Sequence, residues 1–156
     1  MPLEPVTPAL EPMFRASIAV APPRIIGRVG GGERRIVDIL GGEVAGPRLA
    51  GKVLPGGADW QIVREDATAV LEARYTIETA DGTLVYVRNL GYRHGPPEVL
   101  AAIARGEEVD PARYYFRTAP TFETGAAALD WLNRTVAVCS AVRTRERVII
   151  DFYAVR

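Results

Sequence analysis

The sequence predicts a mainly β protein, an antiparallel up-and-down barrel of about eight or nine strands with one short helix. Three observations predict it. Short segments alternate apolar and polar residues at period two. Turns rich in glycine and proline separate them. Only one segment carries helical signals. A β-sandwich satisfies the same pattern, but a barrel of about eight strands has an interior that is either just filled or holds one small ligand.

Residues 1–12 are proline-rich and read as an arm preceding a single domain over 13–156. "MFRASIAV" (13–20) has the aromatic and branched residues of a strand, and "RRIVDIL" (34–40) follows a glycine run. That run, "GRVGGGERR" (27–35), leads into a strand, not a helix, so it reads as a turn and not as a phosphate loop. "RLAGKVLP" (48–55) alternates, and "LPGGADWQ" (54–61) then bends the chain just before Asp59 and Trp60. Such a bend is either a hairpin corner or a means of aiming an acid and an indole into a pocket.

"TAVLEARYTIET" (68–79) is the clearest strand. Leu71, Ala73, Tyr75 and Ile77 share one face, and Glu72, Arg74, Thr76 and Glu78 the other. The Asp-Gly pair in "ADGT" (80–83) predicts a type I′ hairpin into "LVYVRNLGYR" (84–93). Further strands are "YYFRTAPTFET" (114–124), "NRTVAVCSAV" (133–142) and "RVIIDFYAV" (147–155). Pro120 implies an edge, a bulge or a bend in the first of these. "PPEVLAAIARGEE" (96–108) is the helix, opened by proline, with Glu98 in its first turn and Gly106 as its stop. "AAALDWL" (126–132) reads as one helical turn.

The chain has 156 residues, 48% of them hydrophobic and 24% charged, enough to bury a core without staples. Lys+Arg and Asp+Glu number 19 each. That balance argues against a partner held by bulk charge, so neither nucleic acid nor a membrane surface is expected. The opening residues lack the basic and apolar runs of a signal peptide, and a cytoplasmic location is expected. One cysteine, Cys139, excludes an internal disulfide, and one histidine, His94, with one cysteine makes no zinc site. No metal and no cofactor is expected. His94 stands beside no nucleophile motif and reads as a surface residue before the helix. Cys139 reads as a buried small hydrophobe.

What remains is a set of charged and aromatic residues within strands. An antiparallel strand has one wet face, on which Arg and Glu are simply solvated. The functional alternative is that some point inward around a cavity walled by Trp60, Phe116, Phe122 and Trp131. Burial without a cationic partner would push Asp59 toward its neutral acid.

Several stretches together resemble a known family: "GGERRIVDILGGEVAGPRLAGKVLPGGADWQ" (31–61), "EARYTIETADGTLVYVRNLGYRHGPPEVL" (72–100), "YYFRTAPTFETG" (114–125), "WLNRTVAVC" (131–139) and "DFYAV" (151–155). The family is that of the small bacterial and fungal proteins of unknown function DUF3237. The resemblance runs from about residue 12 to the end. It implies a small antiparallel barrel similar to allene-oxide-cyclase and lipocalin-like barrels. A few fungal members are cofactor-free cyclising enzymes that close an ether ring on a phenolic skeleton. The "AAALD" of 126–130 and the Cys139-Ser140 pair depart from the family's usual residues, which bears on loop shape and not on fold.

A mechanism suited to such a barrel assigns Asp59 as general acid or base, with Tyr86 or Tyr115 as a second proton donor. Arg74 and Asn89 anchor a carbonyl or enolate oxygen, Trp60 and Trp131 form the wall, and Arg117 and Asn133 complete the ligand site. The expected function is a cofactor-independent isomerase, cyclase or lyase acting on a small aromatic or carbonyl-bearing metabolite. The alternatives are a carrier barrel that binds such a ligand unchanged, and a packed barrel whose outer surface mediates assembly. A homodimer or higher homo-oligomer is expected, since dimers are the commonest assembly.

Overall fold

The computed structural model describes residues 1–156. Ten strands follow in order: β1 Leu10–Val20, β2 Arg24–Val29, β3 Gly32–Ala45, β4 Gly51–Val53, β5 Ala58–Val63, β6 Ala69–Thr79, β7 Leu84–His94, β8 Tyr115–Glu123, β9 Ala137–Arg143 and β10 Arg147–Val155. One α-helix, α1 (Pro97–Ala104), follows β7, and a 3₁₀ helix, Ala127–Arg134, follows β8. Every pairing is antiparallel. The ladder runs β1-β10-β9-β8-β7-β6, passes through β5 and β4 to β3, and β3 closes on β1. β4 and β5 share one position between β3 and β6, and β2 pairs with β3 beyond the end of β1. The result is a closed eight-strand barrel with two extra strands.

The expected strands are present, and the differences have local causes. β1 starts at Leu10, inside the stretch read as an arm, because Ala9 and Arg156 exchange backbone hydrogen bonds of 2.7 and 2.8 Å. β3 continues past residue 40 through Gly41 and Gly42. Gly42 lies so close to β1 that a Cβ there would sit 2.3 Å from the Ser17 carbonyl oxygen. The β6–β7 turn is not type I′. Gly82 alone has positive φ, at 85°, with its N–H on the Thr79 oxygen and the Thr79 N–H on the Thr83 oxygen. This is the three-residue loop in which a left-handed glycine follows a type I turn. Asp81 stays in ordinary conformation because its carboxylate accepts from the Thr83 N–H (3.1 Å). Pro120 sits in β8 between two neighbours, but the β8–β9 ladder covers only Arg117 and Thr118, so the proline falls where that ladder has stopped.

The barrel interior has two unlike halves. At the end closed by the 3₁₀ helix, Phe14 and Phe152 stack with centroids 4.3 Å apart, and Phe122 lies 6.1 Å from Phe152. Met13, Ile77, Val85, Val87 and Leu132 fill the space around them, all 2% exposed or less. This half is solid. Toward the end that carries α1, the same inward-facing positions become polar: Asn89, Arg93, Thr118 and Arg143 continue the faces begun by Val87, Phe122 and Cys139. Here the interior is hollow.

Candidate active site

Asp59 enters the hollow half from β5. "LPGG" is not a hairpin corner: it joins β4 to β5 within one barrel position. Its two glycines serve different ends. Gly56 adopts φ +108°, which side chains disfavour. Gly57 lies against β6, where a Cβ would stand 2.3 Å from the Arg74 carbonyl oxygen. The next residues then alternate, as in any strand. Asp59 and Gln61 face the lumen, and Trp60 between them faces out.

Between Asp59 and Ile62 the β5–β6 ladder opens for two residues and resumes in the same register. The Asp59 carboxylate fills the gap: the Glu72 N–H donates to Oδ1 (2.9 Å), and Gln61 Nε2 donates to Oδ2 (2.8 Å). Gln61 is itself oriented, because Arg35 Nη2 donates to its Oε1 (3.1 Å) and arginine can only donate. A chain of contacts thus runs from Arg35 at the mouth through Gln61 to the acid. Burial pushes the Asp59 carboxyl above its ordinary range. The two hydrogen bonds and the more distant charges of Arg93 and Arg143 act in the opposite sense but do not prevail.

Around Asp59 lies a narrow cavity of about 60 Å³, floored by aliphatic side chains and bordered by Tyr75, Asn89 and Thr118. The Tyr75 hydroxyl, Asn89 Oδ1 and Thr118 Oγ1 are buried and make no hydrogen bond of ordinary geometry, although Asn89 neighbours the Tyr75 hydroxyl and Thr118 the Cys139 thiol. Unmet buried polar atoms cost about 1–3 kcal/mol each, so three in one cavity need an explanation. Burial raises the Tyr75 hydroxyl above its ordinary pKa and the Cys139 thiol to about 12, so both stay protonated at neutral pH. Cys139 is buried, as expected, with Sγ 4.0 Å from Asn89 Nδ2.

The cavity opens past Gln61, Arg93 and Arg143 into a wider mouth of about 600 Å³ beneath α1. Leu100 and Ile103 of the helix form its roof. Burial and the nearby charge of Arg143 lower Arg93 to about 10, and burial likewise lowers Arg143.

Of the residues singled out from sequence, the fold brings Asp59 and Asn89 together in the lumen. The others lie elsewhere. Arg74 is on the outer face of β6, paired with Glu72 at 2.7 Å. Tyr86 is on the outer face of β7. Tyr115 is exposed on β8, stacked on His94 at 4.8 Å and 5.7 Å from the Arg117 guanidinium, which is also outside. Trp131 lies on the 3₁₀ helix at the closed end, under the Arg48 guanidinium at 3.9 Å. Asn133 ties that helix to Thr124 with bonds of 2.8 and 2.9 Å. Of the four aromatic residues expected to wall the cavity, only Phe116 borders it, while Phe122 lies in the solid half.

Sequence reading missed Gln61, Tyr75, Thr118, Arg93 and Arg143. A signal for them existed. On β7, residues 85, 87, 89, 91 and 93 share one face, so Asn89 and Arg93 carry the parity of buried valines. Arg143 has the parity of Cys139 and Ala141 on β9, and Thr118 that of Phe116 and Phe122 on β8. A polar residue in step with apolar neighbours marks a lumen.

No helix of this chain is long and apolar enough to cross a membrane. In sequence, it is 47% identical over 152 residues to a UPF0311 protein of Rhodopseudomonas palustris, covering 96% of this chain and 99% of that one. It is 44% identical to a UPF0311 protein of Clostridium acetobutylicum, over 93% and 92% of the two chains. Among solved structures, a conserved protein of unknown function from R. palustris superposes with a TM-score of 0.92 at 45% identity, over 97% and 100% of the chains. A β-barrel-like protein from Acinetobacter baumannii gives 0.86 at 43%, over 98% and 99%. An enzyme from Penicillium herquei shares the fold, with a TM-score of 0.74 at 21% identity over the full length of both chains. The model of the family described as protein of unknown function (DUF3237) matches residues 8–155, and this chain belongs to that family.

Proposed function

We propose that the hollow half of the barrel binds a small carbonyl-bearing or aromatic metabolite, and that Asp59 moves a proton on it in an isomerisation, cyclisation or elimination run by side chains alone. The observation that carries this reading is one acid held in fixed orientation beside three buried polar atoms that make no hydrogen bond of ordinary geometry within the protein. A bound carbonyl or hydroxyl would satisfy them. The Tyr75 hydroxyl can donate to a carbonyl oxygen on which negative charge develops, and the Asn89 and Thr118 oxygens can accept from a hydroxyl. An Asp with a raised pKa keeps its proton nearer to neutral pH, where it can serve as acid and then as base. The enclosing aliphatic walls exclude water, which strengthens each of these contacts.

The test follows the proton. Small molecules that co-purify with the native protein are identified by mass spectrometry and returned to it in D₂O. Proton transfer to carbon is expected to appear as incorporated deuterium or as an altered product. Asp59→Asn should slow it by roughly 10²–10⁴. Release of the ligand unchanged and undeuterated would make the barrel a carrier, and an Asp59→Asn variant as active as wild type would remove the acid from its role.

A further inference from the structure

The arginines at the mouth raise a question the acid does not answer. Five arginines line one opening: Arg105 is exposed and paired with Glu107 at 2.6 Å, Arg145 is exposed, and Arg35, Arg93 and Arg143 converge there from β3, β7 and β9. The chain has acids enough to pair them, and it pairs other arginines freely on its surface: Arg15 with Asp151, Arg24 with Asp38, Arg48 and Arg156 with Glu11, Arg147 with Glu43. None of the three that stand on strands, Arg35, Arg93 and Arg143, has a carboxylate within ion-pairing distance. Arg93 is only 9% exposed, and its guanidinium makes no hydrogen bond to the protein. It lies 5.4 Å from the centroid of the Phe116 ring. Arg35 Nε is buried without a partner. Arg143 reaches only a carbonyl, Arg147 O, at 3.4 Å.

Three guanidiniums that converge on one opening with no carboxylate in ion-pairing distance, one buried and two partly buried, repel one another in the empty protein. Their planar forks are the geometry that binds carboxylate and phosphate in pairs of parallel bonds. Asp59 attracts Arg93 and Arg143 from within the lumen but forms no ion pair with either, and burial itself pushes its carboxyl toward the neutral form. From this convergence we infer that the substrate is a small organic anion, whose carboxylate or phosphate is held at the mouth by Arg35, Arg93 and Arg143 while its carbonyl-bearing part enters the lumen beside Asp59. The inference rests on the reading of the lumen as a ligand site and narrows it. The mouth has room for such a head group under α1, and the lumen accepts the smaller, less polar end.

The experiment compares three probes of one shape: benzoate, phenyl phosphate and the neutral benzamide, each titrated against the native protein by calorimetry and by ligand-dependent Tm. At least one anion is expected to bind at least about tenfold more tightly than benzamide, with affinity falling as salt is added. The tighter of the two names the head group. Arg143→Gln and Arg93→Met should each lose at least about tenfold in anion affinity, and Arg143→Lys should retain part of it. In the empty protein, Arg93→Met should hold or raise Tm, which a merely structural arginine would not do. Equal binding of benzamide, no binding of any probe, or anion affinity unchanged in both Arg143→Gln and Arg93→Met would overturn the inference. Its fate is separable from that of the proposed chemistry. Asp59→Asn that still binds the anion but transfers no proton supports both, whereas turnover of a neutral metabolite with no anion preference removes the anion alone.

Discussion

Asp59 illustrates how one side chain is set by opposing forces. Its two hydrogen bonds favour the carboxylate, yet burial favours the acid and prevails. The consequence for stability has a definite sign. A carboxyl whose folded pKa lies above the unfolded value, 3.8 here, favours folding most below that unfolded value. That contribution is lost as pH rises through the folded pKa. The difference in unfolding free energy between wild type and Asp59→Asn, measured by urea at steps from about pH 4 to about pH 8, should therefore fall as pH rises. A flat difference would mean that the acid is not perturbed. The same residue shows what the sequence could and could not reveal. An acid after two glycines was legible as a candidate. That Trp60 could not join it was also legible, since adjacent residues in a strand face opposite sides, and Arg74 and Tyr75 divide in the same way. What no local pattern discloses is that Glu72 would lend its backbone N–H to a side chain thirteen residues earlier.

At the scale of elements, strong alternation was sufficient: β6, β7, β8 and β10 lie close to where period two puts them. The misreadings concern two strands of six residues each. β2 and β5 did not stand out as strands, because β2 presents Ile25, Ile26 and Val29 to solvent and so has no buried stripe, and β5 is only six residues long. Both form because β3 offers them an edge to pair with. That dependence makes the Gly56-Gly57 bend, which sets β5 against β6, a sensitive point. A Cβ at Gly57 would meet the Arg74 oxygen at 2.3 Å and the Tyr75 Cβ at 2.8 Å, both fixed in the sheet. Gly57→Ala should therefore destabilise by about 1–3 kcal/mol, read as a lower urea midpoint, and should weaken ligand binding because Tyr75 and Asp59 flank the disturbance. A midpoint equal to that of wild type would show that β5 can shift away from β6 without cost.

The barrel divides into a solid half and a hollow half, and the roles proposed for them can be tested by substitutions at its two ends. Phe152 is 1% exposed in the solid half, against Phe14 and Phe122. Phe152→Ala leaves a cavity among rings that cannot collapse freely and should cost about 3–5 kcal/mol. Anion affinity per folded molecule should stay within about twofold, since distant sites usually act independently. Arg93 is nearly as buried but carries an unpaired charge in the hollow half. Arg93→Met keeps similar bulk and removes that charge, so stability should hold or rise, by up to about 4 kcal/mol, while anion affinity falls. The contrast is the point of the comparison. If the arginines simply braced the mouth, both substitutions would lower the urea midpoint and neither would alter affinity selectively. A rise in stability together with a loss of anion affinity in Arg93→Met would show that the barrel keeps cations at its opening for a ligand of negative charge and not for its own folding.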